Sequence, residues 1–351
     1  MGLKILHSAD WHMDAPFTSF PEEQREFLRR EQLKLPGKIA EICSRERCNL
    51  VLLAGDIFDG KPGRDAIDAV KRSLRSCAVP VFVAPGNHDF CDAGSPWLEE
   101  SWPENVTVFT GNLESVVVPA LNCRIYGAGY RGMDCDPLLE GFCAGGDEEF
   151  HVAVLHGDPV TARSPYCAIT AGQIRESGLD YLALGHIHKA GMFRSGTTLC
   201  AWPGCPMGRG WDETGTKGVC IAALEEDVQV QFVPVESPVF SDLEADVSAG
   251  PETVLDGILP AAASTDFYRI TMTGQGQPDV EALKRRYSQI PNLLIRDQTV
   301  PEEDLWQDAD ADTFRGAYFR LLRQQAQEDP RAVLAARISR DILSGREVKL
   351  P

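Results

Sequence analysis

The stretch Leu50-Val-Leu-Leu-Ala-Gly-Asp-Ile-Phe-Asp59 decides the fold, because an apolar run with the length of a buried strand ends there in a glycine and two carboxylates. Four other apolar runs also end in short polar motifs. In chain order the five motifs are Asp10-Trp-His12, Gly55-Asp-Ile-Phe-Asp59, Gly86-Asn-His-Asp89, His156-Gly-Asp158 and Gly185-His-Ile-His188. Five of the seven histidines of the chain lie in them. Imidazole, carboxylate and one amide oxygen together predict a pocket for two divalent metal ions, which suits cleavage of phosphate esters.

The runs before the motifs predict parallel strands. They are Leu3–Ser8, Leu50–Ala54, Val79–Ala84, His151–Leu155 and Tyr181–Leu184. Two amphipathic stretches, Glu22–Arg45 and Asp65–Cys77, lie between the first three runs and predict helices. An α/β sheet with strands and helices in this order collects its ligands at the carboxyl ends of the strands.

The pattern changes after His188. Four short strands separated by turns are predicted to be antiparallel and to complete a second sheet: Gly191–Ser195, Thr198–Ala201, Gly218–Leu224 and Val228–Val235. A strand, a helix and a strand follow at Asp266–Thr273, Val280–Gln289 and Asn292–Gln298, then an acidic linker, Glu302–Asp312, and two helices, Thr313–Gln327 and Arg331–Leu343. These changes predict an α/β metal-binding domain at residues 1–237 and a smaller α/β domain with C-terminal helices at residues 238–351.

Composition narrows the class of protein. The chain has 351 residues and a net charge of −18, with neither a signal-peptide pattern nor an apolar run long enough to span a membrane, so we expect a cytoplasmic protein. Its eleven cysteines show no CxxC pair and are expected to be reduced and mostly buried. The negative charge argues against a long electrostatic footprint on DNA, although a locally positive groove could still bind it.

The residue types suggest individual roles. Asp10 and His12 alternate as in an extended segment, which would point both side chains at one ion. Gly55 would let the backbone pass close to a metal. Asp56 is the candidate bridging ligand, because a carboxylate has two oxygens. The amide oxygen of Asn87 is a further candidate ligand, and three histidines complete the set: His156, His186 and His188.

A proton donor is also needed in phosphoryl transfer, and His88 can remain unligated beside Asn87 to serve as one. In this hypothesis a hydroxide that bridges the two metals attacks phosphorus in line, and His88 protonates the leaving oxygen. Asp59, three residues beyond Asp56, is the candidate partner that fixes the tautomer of His88.

Taken together, the motifs resemble the signature of the calcineurin-like metallophosphoesterase superfamily, namely D-x-H, GDxxD, GNH[DE], H and GHxH. Within that superfamily the chain is similar to the SbcD-type DNA repair exonucleases. The narrower resemblance covers about residues 1–237 and is carried by four segments: Leu6–Asp10, Asp14–Phe17, Asp180–His188 and Trp202-Pro-Gly204 ahead of Glu213 and Lys217-Gly218.

The resemblance implies a sandwich of two sheets flanked by helices, with two metal ions that are usually manganese. One metal would take Asp10, His12, Asp56 and His188, and the other would take Asp56, Asn87, His156 and His186. Residues 238–351 would form a capping domain, with the last helices available to an SMC-like ATPase of the SbcC type. A homodimer through Glu22–Arg45 is also implied. The aspartate at position 59 is shared with bacterial SbcD-like sequences, whereas archaeal and eukaryotic relatives carry histidine there.

Three functions follow from these patterns. The first is a manganese-dependent exonuclease on DNA ends, with four basic residues as candidate phosphate contacts: Arg131, Arg163, Lys189 and Arg209. Trp202 or Trp211 would stack on a base or, as is commoner, pack in the core. The second is a phosphoesterase for a small nucleotide or cyclic phosphodiester. The third is a non-catalytic scaffold that presents Thr313–Leu343 to a partner.

Overall fold

The computed structural model describes residues 2–301 and 304–345, and within them it contains fifteen strands and eight α-helices. The strands are β1 (Leu3–Ser8), β2 (Leu50–Leu53), β3 (Val81–Val83), β4 (Val106–Val108), β5 (Glu114–Val118), β6 (Cys123–Gly127), β7 (Phe150–His156), β8 (Tyr181–Gly185), β9 (Gly191–Ser195), β10 (Thr198–Trp202), β11 (Gly218–Leu224), β12 (Val228–Pro234), β13 (Phe240–Asp246), β14 (Phe267–Thr273) and β15 (Leu293–Asp297). The helices are α1 (Glu22–Arg45), α2 (Arg64–Ser76), α3 (Pro96–Glu99), α4 (Ala171–Glu176), α5 (Pro251–Ile258), α6 (Val280–Arg286), α7 (Phe314–Gln325) and α8 (Arg331–Leu343).

The chain divides into two compact units. The first comprises Met1–Leu243, Ala263–Arg269 and Gln289–Leu294, and the second comprises Glu244–Ala262, Ile270–Ser288 and Ile295–Pro351. The domain boundary predicted after residue 237 stays a prediction.

Two six-stranded sheets build the first unit. One has the order β12-β11-β1-β2-β3-β4, and the other has the order β5-β6-β7-β8-β10-β9. Strands β1 to β4 are mutually parallel, as are β6, β7, β8 and β10. The carboxyl ends of β1, β2 and β3 carry the first three motifs, and those of β7 and β8 carry the last two, as predicted.

Alternating side chains on the strands pack into separate layers. On β1, Ile5 faces the other sheet, where it joins a core with Val152 of β7 and other inward residues. The next residue, Leu6, faces the opposite side and joins a core with Leu28 and Ile39 of α1. Helices cover the outer face of the first sheet in this way, and the predicted fold class, a two-sheet α/β sandwich flanked by helices, is confirmed.

The prediction for the antiparallel strands is wrong for two of the four. Strands β9 and β10 lie in the second sheet as predicted, but β11 and β12 extend the first sheet, where β11 pairs antiparallel with β1. Strand β1 pairs with β2 along one edge, and β11 supplies hydrogen-bond partners for its other edge. The two strands lie more than 200 residues apart in sequence, so no local pattern predicts that they pair. Strands β4, β5 and β13 were not predicted, because each is short or half-exposed and has little apolar periodicity.

The second unit contains helices α5 to α8. Phe319 and Leu322 of α7 pack with Ala336 of α8 and Ala309. Strands β13, β14 and β15 form a three-stranded sheet in that order. The first two residues of the predicted acidic linker Glu302–Asp312 lie outside the described residues, and so do residues 346–351. The described part of the linker forms turns and bends between Leu305 and Asp312. No helix in the described part of the chain is long and apolar enough to cross a bilayer.

His7 and Tyr181 form a buried polar pair that links the two sheets across the core between them. His7 of β1 is fully buried, and its Nε2 donates to the carbonyl of Leu184 at 3.0 Å, so its Nδ1 accepts from the hydroxyl of Tyr181 at 2.8 Å. Burial lowers the pKa of His7 to about 3, which keeps the ring neutral. The pair therefore ties the two sheets together through neutral hydrogen bonds close to the motif-bearing strand ends.

We expect Tyr181→Phe to lower the free energy of unfolding by about 1–3 kcal/mol, because it leaves the buried Nδ1 of His7 without a donor. Urea denaturation would measure the change as a lower midpoint at an unchanged slope. The half-exposed Tyr268→Phe is the control, with a change within about 0.5 kcal/mol. Equal effects of the two substitutions would contradict this account.

Candidate metal centre

The motif residues leave their strands by an unusual backbone path. Asp10, His12, Asp56 and His186 all have positive φ angles, of 55°, 45°, 52° and 86°. This left-handed region costs conformational energy for residues other than glycine, and residues that adopt it cluster at functional sites. The extended segment predicted for Asp10 and His12 is therefore wrong. Their side chains still converge, because two left-handed positions, not strand alternation, turn them the same way.

The first metal position brings together Asp10, His12 and His188, whose ligand atoms all lie within 4.8 Å of one another. His12 donates from Nδ1 to Asp59 at 3.2 Å, and His188 donates from Nδ1 to Glu213 at 2.7 Å. Each ring therefore presents a lone pair on Nε2, yet the two Nε2 atoms are only 3.2 Å apart. Two lone pairs at this distance repel unless a proton or a cation lies between them. Burial lowers the pKa of His12, which disfavours the proton.

Asp10 supports the same conclusion. Its carboxylate is almost fully buried, and Oδ1 accepts from the backbone N–H of His186 at 3.0 Å. Among the described residues, Oδ2 has no hydrogen-bond partner. A buried carboxylate oxygen without a partner is costly, and a cation is the partner that this position accepts best.

The second position brings together Asp56, His156 and Asn87. His156 donates from Nδ1 to the carbonyl of Ala54 at 2.8 Å, so its Nε2 faces the Asn87 amide oxygen at 3.0 Å and the Asp56 carboxylate at 3.4 Å. All three atoms are acceptors when His156 is neutral. Burial, the largest single effect, lowers the pKa of His156, but the charge of Asp56, the hydrogen bond to Asp56, the charge of Asp10 and the bond to Ala54 together outweigh it and raise the pKa to about 9. Positive charge among these three acceptors is therefore favoured, and a metal ion would supply it.

Asp56 reaches both positions, as the prediction of a bridging ligand requires. Its Oδ2 lies 3.8 Å from Nε2 of His12 and 3.4 Å from Nε2 of His156. Its Oδ1 accepts from the backbone N–H of His88 at 2.8 Å. His186 lies beside His156, with ring centroids 5.3 Å apart, and against the ring of Tyr166 at 4.7 Å. All seven predicted ligands are therefore brought to one place, although their roles as ligands stay predictions.

His88 differs from the other histidines of the centre because it is 43% exposed. Its Nδ1 lies 3.0 Å from Oδ1 of Asp59, the same oxygen that accepts from His12. The hydrogen bonds from His12 and then His88 hold the pKa of the Asp59 carboxyl well below its ordinary value. In return, the bond to Asp59 raises the pKa of His88 against the opposing effect of burial. His88 also lies within 4.8 Å of ligand atoms of His12 and Asp56.

Two glycines make the close packing of the ligands feasible. A Cβ at Gly55 would stand 2.5 Å from Nδ1 of His156, so this glycine makes room for a predicted ligand. That it also lets the backbone pass close to a metal stays a prediction. A Cβ at Gly86 would collide with the Asp56 carboxylate and with His156.

Sequence reasoning gave no role to Asp89. Its buried carboxylate accepts backbone N–H groups of Ile57 at 2.8 Å and Gly86 at 2.7 Å, and more distantly those of Asp56 and Phe58. It thereby joins the second and third motifs. Burial, and then the charge of Asp56, raise the pKa of Asp89 to about 6. Its place in the motif Gly86–Asp89 was the available signal, but a turn aspartate commonly caps its own loop instead.

Glu213 and Arg209 form a supporting pair behind His188. The Glu213 carboxylate accepts from Nδ1 of His188 and from Nη2 of Arg209 at 2.8 Å, which fixes the orientation of the imidazole. Of the other candidate phosphate contacts, Lys189 follows His188 directly and is exposed, and Arg131 and Arg163 are exposed on loops. Trp202 is buried and donates to the carbonyl of Lys189 at 2.9 Å, as expected of a core residue.

These groups fit a pair of divalent cations. Two positions share Asp56, each is lined by imidazole and oxygen atoms, and thiolates are not among the ligand groups found within the described residues. Such a donor set suits hard or borderline divalent ions. The fold and the site define the class of protein as a metal-dependent phosphoesterase.

The chain belongs to the calcineurin-like phosphoesterase family, which matches residues 3–190. It is 30% identical over 264 residues to the uncharacterized metallophosphoesterase YhaO of Bacillus subtilis, covering 70% of this chain and 64% of that protein. It is 27% identical over 222 residues to the DNA double-strand break repair protein Mre11 of Aeropyrum pernix, covering 57% of this chain and 53% of that protein. It is also 25% identical over 107 residues to the SbcD component of the nuclease SbcCD of Staphylococcus epidermidis, covering 28% of this chain and 27% of that protein. The chain thus spans less than two thirds of the length of each relative.

Metal addition should stabilise the protein, because a cation relieves the repulsion among the buried acceptors of the folded state only. We expect about two manganese ions per chain by elemental analysis and a melting temperature that rises with manganese and falls with a chelator. Asp56→Asn, which weakens both positions, should reduce the metal content and most of the shift. A chelator-insensitive melting temperature would contradict a metal centre here.

Asp89→Asn should lower the free energy of unfolding by about 1–3 kcal/mol and weaken metal binding, because an amide cannot accept all the backbone N–H groups that the carboxylate holds. Thermal unfolding and metal titration would measure both effects. The exposed Asp92→Asn, three residues along, is the matched control. An unchanged metal affinity in Asp89→Asn would contradict the prediction, because it would show that the second and third motifs keep their positions without the Asp89 carboxylate.

Proposed function

We propose that the protein is a manganese-dependent DNA nuclease of the SbcD type that acts on DNA ends. The observation that carries the proposal is the pairing of a buried ligand set with one half-exposed imidazole, His88, at its edge. A large substrate can reach such a group without entering a closed pocket. The similarity to Mre11 and to the SbcD component of SbcCD supports DNA as the substrate.

When bound, two divalent ions would neutralise charge on the phosphate and activate water as a nucleophile. The residues proposed to hold them are Asp10, His12, Asp56, Asn87, His156, His186 and His188. His88 would donate a proton from Nε2 to the leaving oxygen of the DNA chain. Asp59 would keep the proton on Nδ1 of His88 and favour the charged ring, which suits a general acid.

Basic side chains near the centre would hold the DNA backbone. Lys189 and Lys217 line a cavity of about 480 Å³ that also borders His188. We propose Lys189 and Arg209 as phosphate contacts close to the centre, and Arg131 and Arg163 as more distant ones. Contacts of this kind position the strand without reading its sequence.

The remaining parts of the proposal concern partners. Residues 238–351 would cap the nuclease domain, and α7 and α8, which expose apolar residues such as Phe314 and Leu321, would bind an SbcC-type ATPase. A homodimer would use α1. The protein would work in the cytoplasm.

The net charge of −18 favours a second candidate, a phosphoesterase for a small nucleotide or cyclic phosphodiester. Salt separates the two candidates. The affinity for DNA should fall steeply as salt is raised, because counterions are released on binding, whereas the affinity for a small ligand should change little. A non-catalytic scaffold is less consistent with a chain that retains His88 and the whole ligand set.

His88→Ala should lower the rate of manganese-dependent digestion of linear DNA by about 10²–10⁴-fold, because the leaving oxygen loses its proton donor. The content of bound manganese should be preserved, as measured by elemental analysis. His151→Ala, on β7 but at its opposite end, is the matched control and should digest DNA normally. Hydrolysis of small phosphodiesters together with inertness toward every nucleic acid tested would refute the nuclease proposal.

A further inference from the structure

A second cavity shares Asp212 and Glu213 with the lysine-lined one. Its volume is about 470 Å³, within the range of about 300–1,000 Å³ typical of ligand sites, and its lining belongs entirely to the first unit. Its lining is polar and aromatic, with two arginines and two carboxylates among the side chains: Ser19, Arg209, Trp211, Asp212, Glu213 and Arg269. Two guanidinium groups and an indole in one cavity beside a phosphoesterase centre suggest a nucleotide site.

Arg209 connects this cavity to the metal centre. Its Nε and Nη2 bind the Glu213 carboxylate, which also holds His188 at 2.7 Å. Within the described ranges, Nη1 of Arg209 makes no hydrogen bond and remains available to an anion. The positive charge of Arg209 adds to the effect of burial, which lowers the pKa of His12, and opposes the bond to Asp59, which raises the pKa of His88, so its field reaches the centre.

Arg269, which also lines the cavity, is held by a carboxylate in a similar way. Its Nε donates to Asp242 at 2.8 Å and its Nη2 pairs with the other oxygen of that carboxylate, which fixes one edge of the guanidinium. The group lies over the ring of Trp211 at 4.8 Å. Planar guanidinium groups such as this one stack well on nucleobases.

The platform under Arg269 is rigid. Trp211 meets Phe240 edge-on, with ring centroids 5.4 Å apart, and contacts Phe20 at 6.4 Å. Phe240 in turn stacks on Phe267 at 4.5 Å. A platform that is already ordered loses little conformational entropy when a ligand binds to it.

We propose that this cavity binds the nucleotide adjacent to the scissile phosphate, with Arg209 contacting a phosphate through Nη1 and the base stacking on the guanidinium of Arg269. The inference rests on the proposed phosphodiesterase function and adds to it the residues that bind the nucleoside of the substrate, whichever base it carries. Stacking tolerates every base because each has a π face, so the site adds affinity without sequence preference.

Two chromogenic substrates test the proposal with manganese-loaded protein. One is the p-nitrophenyl ester of thymidine 5′-monophosphate, and the other is bis(p-nitrophenyl) phosphate, which lacks a nucleoside. Arg269→Ala should raise KM for the nucleoside ester about tenfold relative to KM for bis(p-nitrophenyl) phosphate, since stacking on one base contributes a factor of about 5 to 150. Arg269→Lys should behave like Arg269→Ala, because it retains the charge and loses the plane.

Arg286→Ala is the matched control. Arg286 also pairs with a carboxylate, Asp256 at 2.7 Å, and lies over an aromatic ring, Tyr287 at 5.7 Å, but it belongs to the second unit. It should leave the ratio of the two KM values as in the unsubstituted protein. Melting temperatures and metal content of each variant would separate loss of binding from loss of folding.

Binding of thymidine 5′-monophosphate, followed by calorimetry, gives a readout that does not need turnover. It should weaken about tenfold in Arg269→Ala. A KM ratio and a nucleotide affinity that both match the unsubstituted protein would overturn the subsite and leave the phosphodiesterase intact. Hydrolysis of neither substrate by the unsubstituted, metal-loaded protein would overturn the phosphodiesterase function, and the subsite with it.

Discussion

The metal centre buries more hydrogen-bond acceptor atoms than there are protons to satisfy them, and the rest of the structure depends on this imbalance. Oδ2 of Asp10 has no partner among the described residues, and the Nε2 atoms of His12 and His188 face each other at 3.2 Å. Nε2 of His156 faces two further acceptors. Because burial of such groups is costly, no sequence would assemble them for stability alone. A cation between them turns the repulsion into attraction, so the least favourable part of the apo fold is also the part that selects its cofactor.

The rest of the first unit holds these groups against their repulsion. Parallel strands bring the motifs to one edge, and left-handed residues such as Asp56 turn side chains inward at a cost in backbone energy. Asp89 offsets part of that cost by accepting the N–H groups of the turns on either side. The close approach also limits the residues that fit, since a Cβ at Gly185 would collide with the carbonyl of Ala54. The backbone turns and the close packing therefore fix the positions of the ligand side chains, which preorganises the centre for metal.

How much could be predicted depended on whether the signal was local. Helix α1 and strand β11 have the predicted bounds, because their apolar periodicity and turn residues are contained in the segment itself. The ligands were identifiable because each directly follows a strand. The pairing of β11 with β1 and the bond of Glu213 to His188 depend on contacts between distant parts of the chain, which no local pattern encodes. The left-handed path at Asp10 was missed for another reason: side-chain convergence is compatible with more than one backbone conformation.

Local charge, and not the total, decides whether an acidic protein can bind a polyanion. The arginines next to the centre are each held by a carboxylate, so Arg209 with Glu213 and Arg269 with Asp242 are nearly neutral as pairs. Two divalent ions would add about four positive charges among the ligands, beside the Arg209–Glu213 pair that holds His188. The attraction for phosphate would then arise with metal binding and act over about one Debye length, some 8–10 Å. A chain with a net charge of −18 would therefore repel a polyanion from most of its surface and attract it most strongly where the loaded centre is exposed, next to His88.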